Sequence, residues 1–256
     1  MANDFRMNSM VGLDEGLRVR HIANFPLIKC RADEDMEEVF RRPEYKDLDQ
    51  LPITEGSRII GIAERSKPKV PRPLDDSVLV AADNPLSNFL HTVHQQPYRL
   101  VVDGTAITGI VTWSDLLKLP VTVFAFSLIA QLELAMNSRI KEQYGEGEGW
   151  FELLGRREKA KILGWRHKLE GENLALSLLE LVGFAHKAKV LRRNLAAGRD
   201  FDSDLKSLKS LRDEVAHLKD MMRSDAGLKI LVERIETAEA WLEMLRIASP
   251  SATAEK

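Results

Sequence analysis

The stretch LPITEGSRIIGIAERS at residues 51–66 returns, without a gap, as RLVVDGTAITGIVTWS at residues 99–114. Each residue of the second copy lies 48 positions after its counterpart in the first. Both copies consist of an apolar run, an acidic-Gly pair (Glu55-Gly56 or Asp103-Gly104) and a second apolar run that contains Gly-Ile. A turn dipeptide between two apolar runs predicts a β-hairpin. A repeat of this length predicts a duplicated structural unit.

The residues around the second hairpin predict a complete β-α-β-β-α unit. The apolar run Ser77–Ala82 predicts a strand, and Asp83-Asn84-Pro85 predicts the start of a helix, with the proline at its first position. Apolar residues at helical spacing follow and give this helix a buried face. Strands over Tyr98–Val102 and Ala106–Val111 and a short helix from Thr112 to Leu119 complete the unit.

The first copy follows the same order, and Pro68, Pro71 and Pro73 separate it from the second. The first copy spans about residues 21–67 and the second about residues 73–119. The predicted elements of the first copy are a strand over Phe25–Arg31, a helix over Asp33–Arg42, and hairpin strands over Leu51–Thr54 and Arg58–Ala63.

The second copy ends in the motif Gly109-Ile110-Val111-Thr112-Trp113-Ser114-Asp115. This motif matches the pattern G-h-h-T/S-x-x-D, and residues 15–120 as a whole resemble a tandem pair of CBS domains (a Bateman module). In that family the hydroxyl residue and the Asp of the motif hold the phosphate and ribose of an adenine nucleotide. The resemblance implies a regulatory AMP or ATP site at Thr112, Ser114 and Asp115, with the strand at Tyr98 and Arg99 against the base.

The residue types at this motif suit such a ligand. The first N–H groups of a helix and the hydroxyls of Thr112 and Ser114 can donate to phosphate oxygens. The carboxylate of Asp115 can accept from both ribose hydroxyls. The alternative is purely structural, because Thr112 can cap the helix while Asp115 completes a capping box.

The two copies differ at the motif. The counterparts of Thr112 and Asp115 in the first copy are Glu64 and Lys67. Glu64 would repel phosphate, and Lys67 cannot accept from ribose hydroxyls. We therefore expect one nucleotide per protomer, bound by the second copy. Arg65 or Lys67 is a further candidate for contact with its phosphate.

The composition describes a globular protein with 44% apolar residues, 30% charged residues and a net charge of −2, which excludes strong attraction of the whole protein to nucleic acid. Cys30 is the only cysteine, which excludes an intramolecular disulfide and favours a reducing compartment. MANDFRMNSM lacks the apolar core of a signal peptide. The apolar run Leu119–Ala130 is shorter than the roughly 18 residues that cross a bilayer. We therefore expect a cytoplasmic protein without a membrane partner.

Helical periodicity replaces the strand pattern after Val121 and predicts a helical domain over residues 121–248. Residues 249–256 are expected to be a disordered tail. The expected fold class is α+β, with an N-terminal duplicated β-α-β-β-α CBS pair followed by an all-α helical bundle. The predicted helices cover residues 122–143, 150–166, 170–195, 202–223 and 225–247.

One predicted helix of this domain carries an Arg–His motif. A 3-4-spaced apolar stripe from Leu208 to Met222 marks its buried face, whereas Arg212 and His217 flank its polar face. The stretch LRDEVAH at residues 211–217 resembles the HEPN superfamily, whose signature is an Arg, often followed by Asp or Asn, and a His four to six residues later. The resemblance implies a homodimer in which Arg212, Asp213 and His217 form a metal-independent ribonuclease site. Cleavage by the 2′-OH of RNA needs a proton acceptor or donor and a cation, which His217 and Arg212 supply.

The sequence thus predicts a nucleotide-sensing regulator that controls a HEPN-type ribonuclease in stress response or defence, with no metal and no catalytic cofactor. An alternative from a different class is a non-catalytic adenine-nucleotide-binding module whose helical domain dimerises or docks a partner. A third is a nucleic-acid-binding regulator that uses the basic stretch Arg156–Lys168. Glu133 is a further candidate for the Arg–His site. Trp150, Trp165 and Trp241 are expected in cores or interfaces.

Overall fold

The computed structural model describes residues 16–145, 147–172, 176–195, 200–216 and 225–247 of the chain. Within those ranges the strands all lie before Trp113, and helices follow. The mixed α+β class expected from the sequence is therefore confirmed. The chain divides into two units, one formed by Gly16–Val121 and the other containing the described residues from Thr122 onward.

The unit Gly16–Val121 contains two three-stranded sheets with the same strand order. In each sheet a short first strand lies parallel to the second, and the second pairs antiparallel with the third. Both predicted hairpins are therefore confirmed. The first sheet consists of β1 (Cys30–Arg31), β2 (Gln50–Glu55) and β3 (Arg58–Glu64), and the second of β4 (Leu79–Ala81), β5 (Tyr98–Asp103) and β6 (Ala106–Thr112).

The two hairpins match residue by residue at the offset of 48. The pair Gln50–Glu64 at the open end of the first has its counterpart in the pair Tyr98–Thr112 of the second. Both hairpins also have a register shift at equivalent places. The turn glycines have φ angles of +60° and +61°, a region that residues with a Cβ adopt only with strain. The acidic-Gly pairs therefore build two turns of the same shape.

A short segment before each copy pairs with the last strand of the other sheet. Asn24 forms an antiparallel bridge with Ile110 of β6, and Arg72 forms one with Ile62 of β3. The two bridges are equivalent, because both of their residues are related by the offset of 48. The segment before the first sheet therefore extends the second sheet, and the segment before the second sheet extends the first.

This pairing corrects one predicted strand. The sequence predicts a continuous strand over Phe25–Arg31, but only Cys30 and Arg31 pair with β2. The preceding residues follow β6 instead, where the N–H of Leu27 donates to the carbonyl of Thr108 over 2.9 Å. An apolar run predicts that a segment is extended, but it does not say which sheet edge the segment joins.

The helices of this unit are α1 (Met36–Arg41) and α2 (Leu86–Thr92), and both begin later than the sequence predicts. Asp35 caps α1, because its carboxylate accepts from the N–H two residues further on, over 2.8 Å. Pro85 is the N-cap residue of α2 rather than its first helical residue. Each helix buries an apolar face.

Helices make up the described part of the second unit. The sequence predicts one helix over residues 170–195, but the structure has three short helices there. Val182 is extended, and Ser177 and Gly183 are the N-cap residues of new helices on either side of it. The helices are α3 (Leu119–Tyr144), α4 (Arg156–Gly171), α5 (Leu178–Leu181), α6 (Phe184–Val190), α7 (Arg192–Leu195), α8 (Phe201–Ala216) and α9 (Asp225–Ile247).

Helices α8 and α9 pack along each other. The indole of Trp241 is fully buried and stacks on Phe201, with ring centroids 5.5 Å apart. Near the other end of α8, Glu214 accepts from Arg234 over 2.6 Å. The described part of the apolar stripe is buried as predicted, at Leu208, Leu211 and Val215. Of the other tryptophans singled out in the sequence, Trp150 is buried and Trp165 is exposed.

Helix α3 is long and apolar enough to cross a membrane by length and composition. The helix is longer than the apolar run Leu119–Ala130, because it continues to Tyr144. Of the 18 residues that form its most apolar stretch, 56% are buried inside the protein. Core helices of soluble proteins can be equally long and apolar, so this helix is weak evidence for a membrane span.

Candidate functional site

Asp115 lies at the end of β6, in a 3-10 helix over Trp113–Leu117, and its side chain is almost fully buried. The amide Nδ2 of Asn24 donates to both of its carboxylate oxygens, over 2.9 and 3.1 Å. The N–H of Thr112 donates to Oδ2 over 2.7 Å, and Lys118 Nζ lies 2.9 Å from Oδ1. The carboxylate is therefore held by groups of the protein itself.

The hydroxyls of the motif lie beside this carboxylate. Thr112 Oγ1 is 2.8 Å from Ser114 Oγ and 3.1 Å from Asp115 Oδ2. Ser114 is exposed, and Thr112 is half-buried. The bond from the N–H of Thr112 to Asp115 is the one that a capping box requires. The structure thus contains the capping box, which the sequence analysis gives as the structural alternative. Ser114 remains exposed beside it.

Lys118 and Asn24 complete a network that the sequence analysis does not predict. Lys118 Nζ donates to Asn24 Oδ1 over 2.8 Å and to the carbonyl of Ile22 over 2.5 Å. Lys118 follows Asp115 by three residues, a spacing that brings side chains together in helical turns. No comparable signal exists for Asn24, because it precedes Asp115 by 91 residues.

Tyr98 and Arg99 point to opposite faces of β5, as neighbouring strand residues do. The buried hydroxyl of Tyr98 donates to Glu64 Oε1 over 2.8 Å. Burial and this carboxylate raise the pKa of Tyr98 well above its ordinary value. The side chain of Arg99 is bound at the end of α2, where it donates to Thr92 Oγ1 and to the carbonyl of Thr92 over 2.8 and 2.7 Å. Its burial lowers the pKa of Arg99.

A groove of about 400 Å³ opens at the strand ends where Glu64 and Tyr98 meet. The counterpart of Thr112 in the first copy, Glu64, lines this groove, whereas Lys67 is exposed outside it. The groove is polar, with two carboxylates and one guanidinium among its walls. It is lined by Asp49, Gln50, Glu64, Arg65, Ser66, Pro97 and Tyr98.

Arg65 is bound to backbone carbonyls. Its guanidinium donates to the carbonyls of Phe40 and Leu48 over 2.9 and 2.8 Å, and also to that of Tyr45. The same group lies over the ring of Phe40, 4.9 Å from the centroid. The sequence analysis gives Arg65 as a candidate for contact with a phosphate. To make that contact, its guanidinium would have to break these hydrogen bonds.

Residues 70–122 match the CBS domain family. A CBS domain is found in this chain. It begins in the segment that bridges β3 and contains β4, α2, the hairpin of β5 and β6, and the motif Thr112–Asp115. None of the curated proteins matches the chain significantly.

Solved structures similar to the chain include CBS domains. The CBS domain pair of protein MJ0100, in complex with 5′-methylthioadenosine and S-adenosyl-L-methionine, is 18% identical, and the match covers 39% of this chain and 96% of that one, with a TM-score of 0.34. The CBS domain of a bacterial CNNM/CorC family Mg²⁺ transporter, in complex with ATP, is 15% identical over 47% of this chain and 96% of that one, with a TM-score of 0.35. Protein MJ1004 from Methanocaldococcus jannaschii is 16% identical over 88% of this chain and 100% of that one, with a TM-score of 0.34. These similarities are too weak to assign a function.

Beyond the CBS domain, the structure describes two of the three residues of the Arg–His motif. Arg212 and Asp213 are exposed on α8, next to the buried Leu211. His217 lies outside the described residues. Glu133 on α3 is paired with the buried Lys187, whose Nζ lies 2.8 Å from Glu133 Oε1.

The basic stretch on α4 is partly neutralised by acidic neighbours. Arg166 donates to Glu148 and Glu170 over 3.1 and 3.0 Å. Lys159 donates to Glu152 over 2.7 Å. Paired cations bind phosphates less well than free ones, because the existing ion pair must first be broken. The structure therefore lends little support to a nucleic-acid track along this helix.

Proposed function

We propose that the chain is an adenine-nucleotide-sensing regulatory protein, in which tandem CBS domains over residues 15–120 bind one nucleotide per protomer. The CBS motif within residues 70–122 carries this proposal. The equivalent registers of the two sheets support a second, related domain in residues 21–67. A homodimer is part of the proposal, as the family resemblance implies.

The nucleotide is proposed to bind the second copy. The carboxylate of Asp115 would accept from the ribose hydroxyls, and the exposed hydroxyl of Ser114 would donate to a phosphate oxygen with its neighbour Thr112. The backbone at Tyr98 and Arg99 would lie along the base. The side chain of Arg99 is already bound to Thr92, so only the backbone of this residue is available.

Regulation requires that the bound nucleotide favours one state of the protein over another. The chain offers a short covalent path for this effect. Lys118, which contacts Asp115, is followed directly by α3 at Leu119, and α3 continues into the helical unit. A change in the contacts of Lys118 would therefore act on the first turn of that helix.

The experiment that tests the site is nucleotide binding by the full chain and by Asp115→Ala, measured by calorimetry with AMP, ATP and S-adenosyl-L-methionine. We expect Asp115→Ala to weaken binding by about tenfold or more, because a charged acceptor for two hydroxyls is lost. Asp47→Ala, which removes an exposed carboxylate from a loop, is the matched control and should bind like the wild type. Equal affinities for Asp115→Ala and the wild type would refute the site.

A metal-independent ribonuclease in the helical unit is the second candidate function. It rests on the Arg–His motif, and the exposed side chains of Arg212 and Asp213 would be accessible to an RNA substrate. The competing candidate is a helical unit that only dimerises or docks a partner.

A further inference from the structure

We infer that Asn24 sets the affinity of the nucleotide site by occupying the carboxylate of Asp115 in the free protein. This inference rests on the proposed function, since it concerns the same carboxylate. Asn24 Nδ2 lies 2.9 and 3.1 Å from the two carboxylate oxygens, within hydrogen-bond distance of both. Asn24 is thus a resident competitor of the ligand.

The amide of Asn24 occupies the two carboxylate oxygens that a ribose would need. A ribose 2′,3′-diol would place one O–H donor at each oxygen, whereas the single nitrogen Nδ2 of Asn24 lies within hydrogen-bond distance of both. Asp115 already receives two bonds from Asn24, two from Thr112 and one from Lys118. Of these donors only Asn24 reaches both oxygens, so a diol that binds both of them has to displace it.

The exchange needs only the side chain of Asn24 to move. Its backbone is fixed to Ile110, with N–H to carbonyl distances of 2.8 and 3.2 Å in the two directions. The residue is exposed, so its amide can rotate into water and be hydrated there. Lys118, which donates to Asn24 Oδ1, loses one partner in this movement and keeps its contacts with Asp115 and the carbonyl of Ile22.

The other copy shows that this contact is particular to the second one. The counterparts of Asn24 and Asp115 at the offset of 48 are Arg72 and Lys67, two cations that cannot pair. Arg72 turns away and donates to Gln96 and Ser77, over 2.9 and 3.1 Å. The competing amide is therefore present in the copy that also has the acid.

The test is nucleotide binding by full-length Asn24→Ala, with Asn88→Ala as the control for the same substitution at an exposed position of α2. We expect Asn24→Ala to bind about tenfold more tightly, since bonds to a charged group are no longer broken on binding. Asn88→Ala should bind like the wild type. The double variant Asn24→Ala/Asp115→Ala should lose the gain.

The outcomes separate this inference from the proposed function. Unchanged or weaker binding by Asn24→Ala, together with weaker binding by Asp115→Ala, overturns the inference and leaves the site in place. If Asp115→Ala binds like the wild type, or no variant binds a nucleotide, both are overturned. A cooperative thermal transition confirms that Asn24→Ala is folded. If it is not, Asn24→Ser replaces it, and its single hydroxyl donor should give a smaller gain in affinity, whereas no gain would count against the inference.

Discussion

Arg65 ties the end of α1 to the loop before β2 through hydrogen bonds to backbone carbonyls of both. We expect Arg65→Lys to lower the free energy of unfolding by about 1–3 kcal/mol, because an ammonium group cannot reach carbonyls spread over Phe40, Tyr45 and Leu48. Urea denaturation measures the change. Arg58→Lys is the matched control, since Arg58 is exposed in the hairpin, and it should be nearly neutral. Equal losses in the two variants would contradict the role given to Arg65.

The residues of the candidate site differ in how far the sequence can predict them. Thr112 and Asp115 are three positions apart, so a capping contact between them follows from local geometry. The sequence comparison also identifies Glu64 as the counterpart of Thr112, but not its bond with Tyr98. Asn24 could not be predicted, because its contact with Asp115 depends on the segment before the first sheet joining β6.

At the scale of elements, the glycine that begins the motif allows a close approach of two backbone segments. A Cβ on Gly109 would lie 2.7 Å from the carbonyl oxygen of Asn24, whereas on Gly61 the nearest atom, Arg72 O, would be 3.0 Å away. We expect Gly109→Ala to lower the free energy of unfolding by about 1–3 kcal/mol, and Gly61→Ala by less. Chemical denaturation of both variants measures the difference. A larger loss of unfolding free energy in Gly61→Ala would contradict this prediction, because it would show that the backbone at Asn24 can shift away from the added Cβ at little cost.

The elements that the sequence predicts best are those with local signals. The hairpins follow from a turn dipeptide between two apolar runs, and the structure has both of them. The predicted helix over residues 170–195 fails because Ser177 and Gly183 begin new helices within it. Apolar periodicity continues across such breaks, since each short helix still buries one face.

At the scale of the whole molecule, the CBS domain and the helical unit pose different problems for prediction. The CBS domain is recognisable because a repeat and a motif coincide in residues 99–115. The helical unit has only an Arg–His spacing to suggest an activity, and the exposure of Arg212 is equally expected of any solvated helix face. Its function therefore has to be decided by chemistry rather than by fold.

The ribonuclease candidate makes a prediction that the docking candidate does not. The full chain should cleave single-stranded RNA in the presence of EDTA, at a rate that changes when AMP or ATP is added. Arg212→Ala and His217→Ala should each slow cleavage by about a hundredfold or more, since each removes a charge-stabilising or proton-transferring group. Arg246→Ala, which removes an exposed arginine from α9, should cleave like the wild type. If the chain binds a nucleotide but cleaves no RNA with or without it, the ribonuclease candidate is wrong and the docking candidate is favoured.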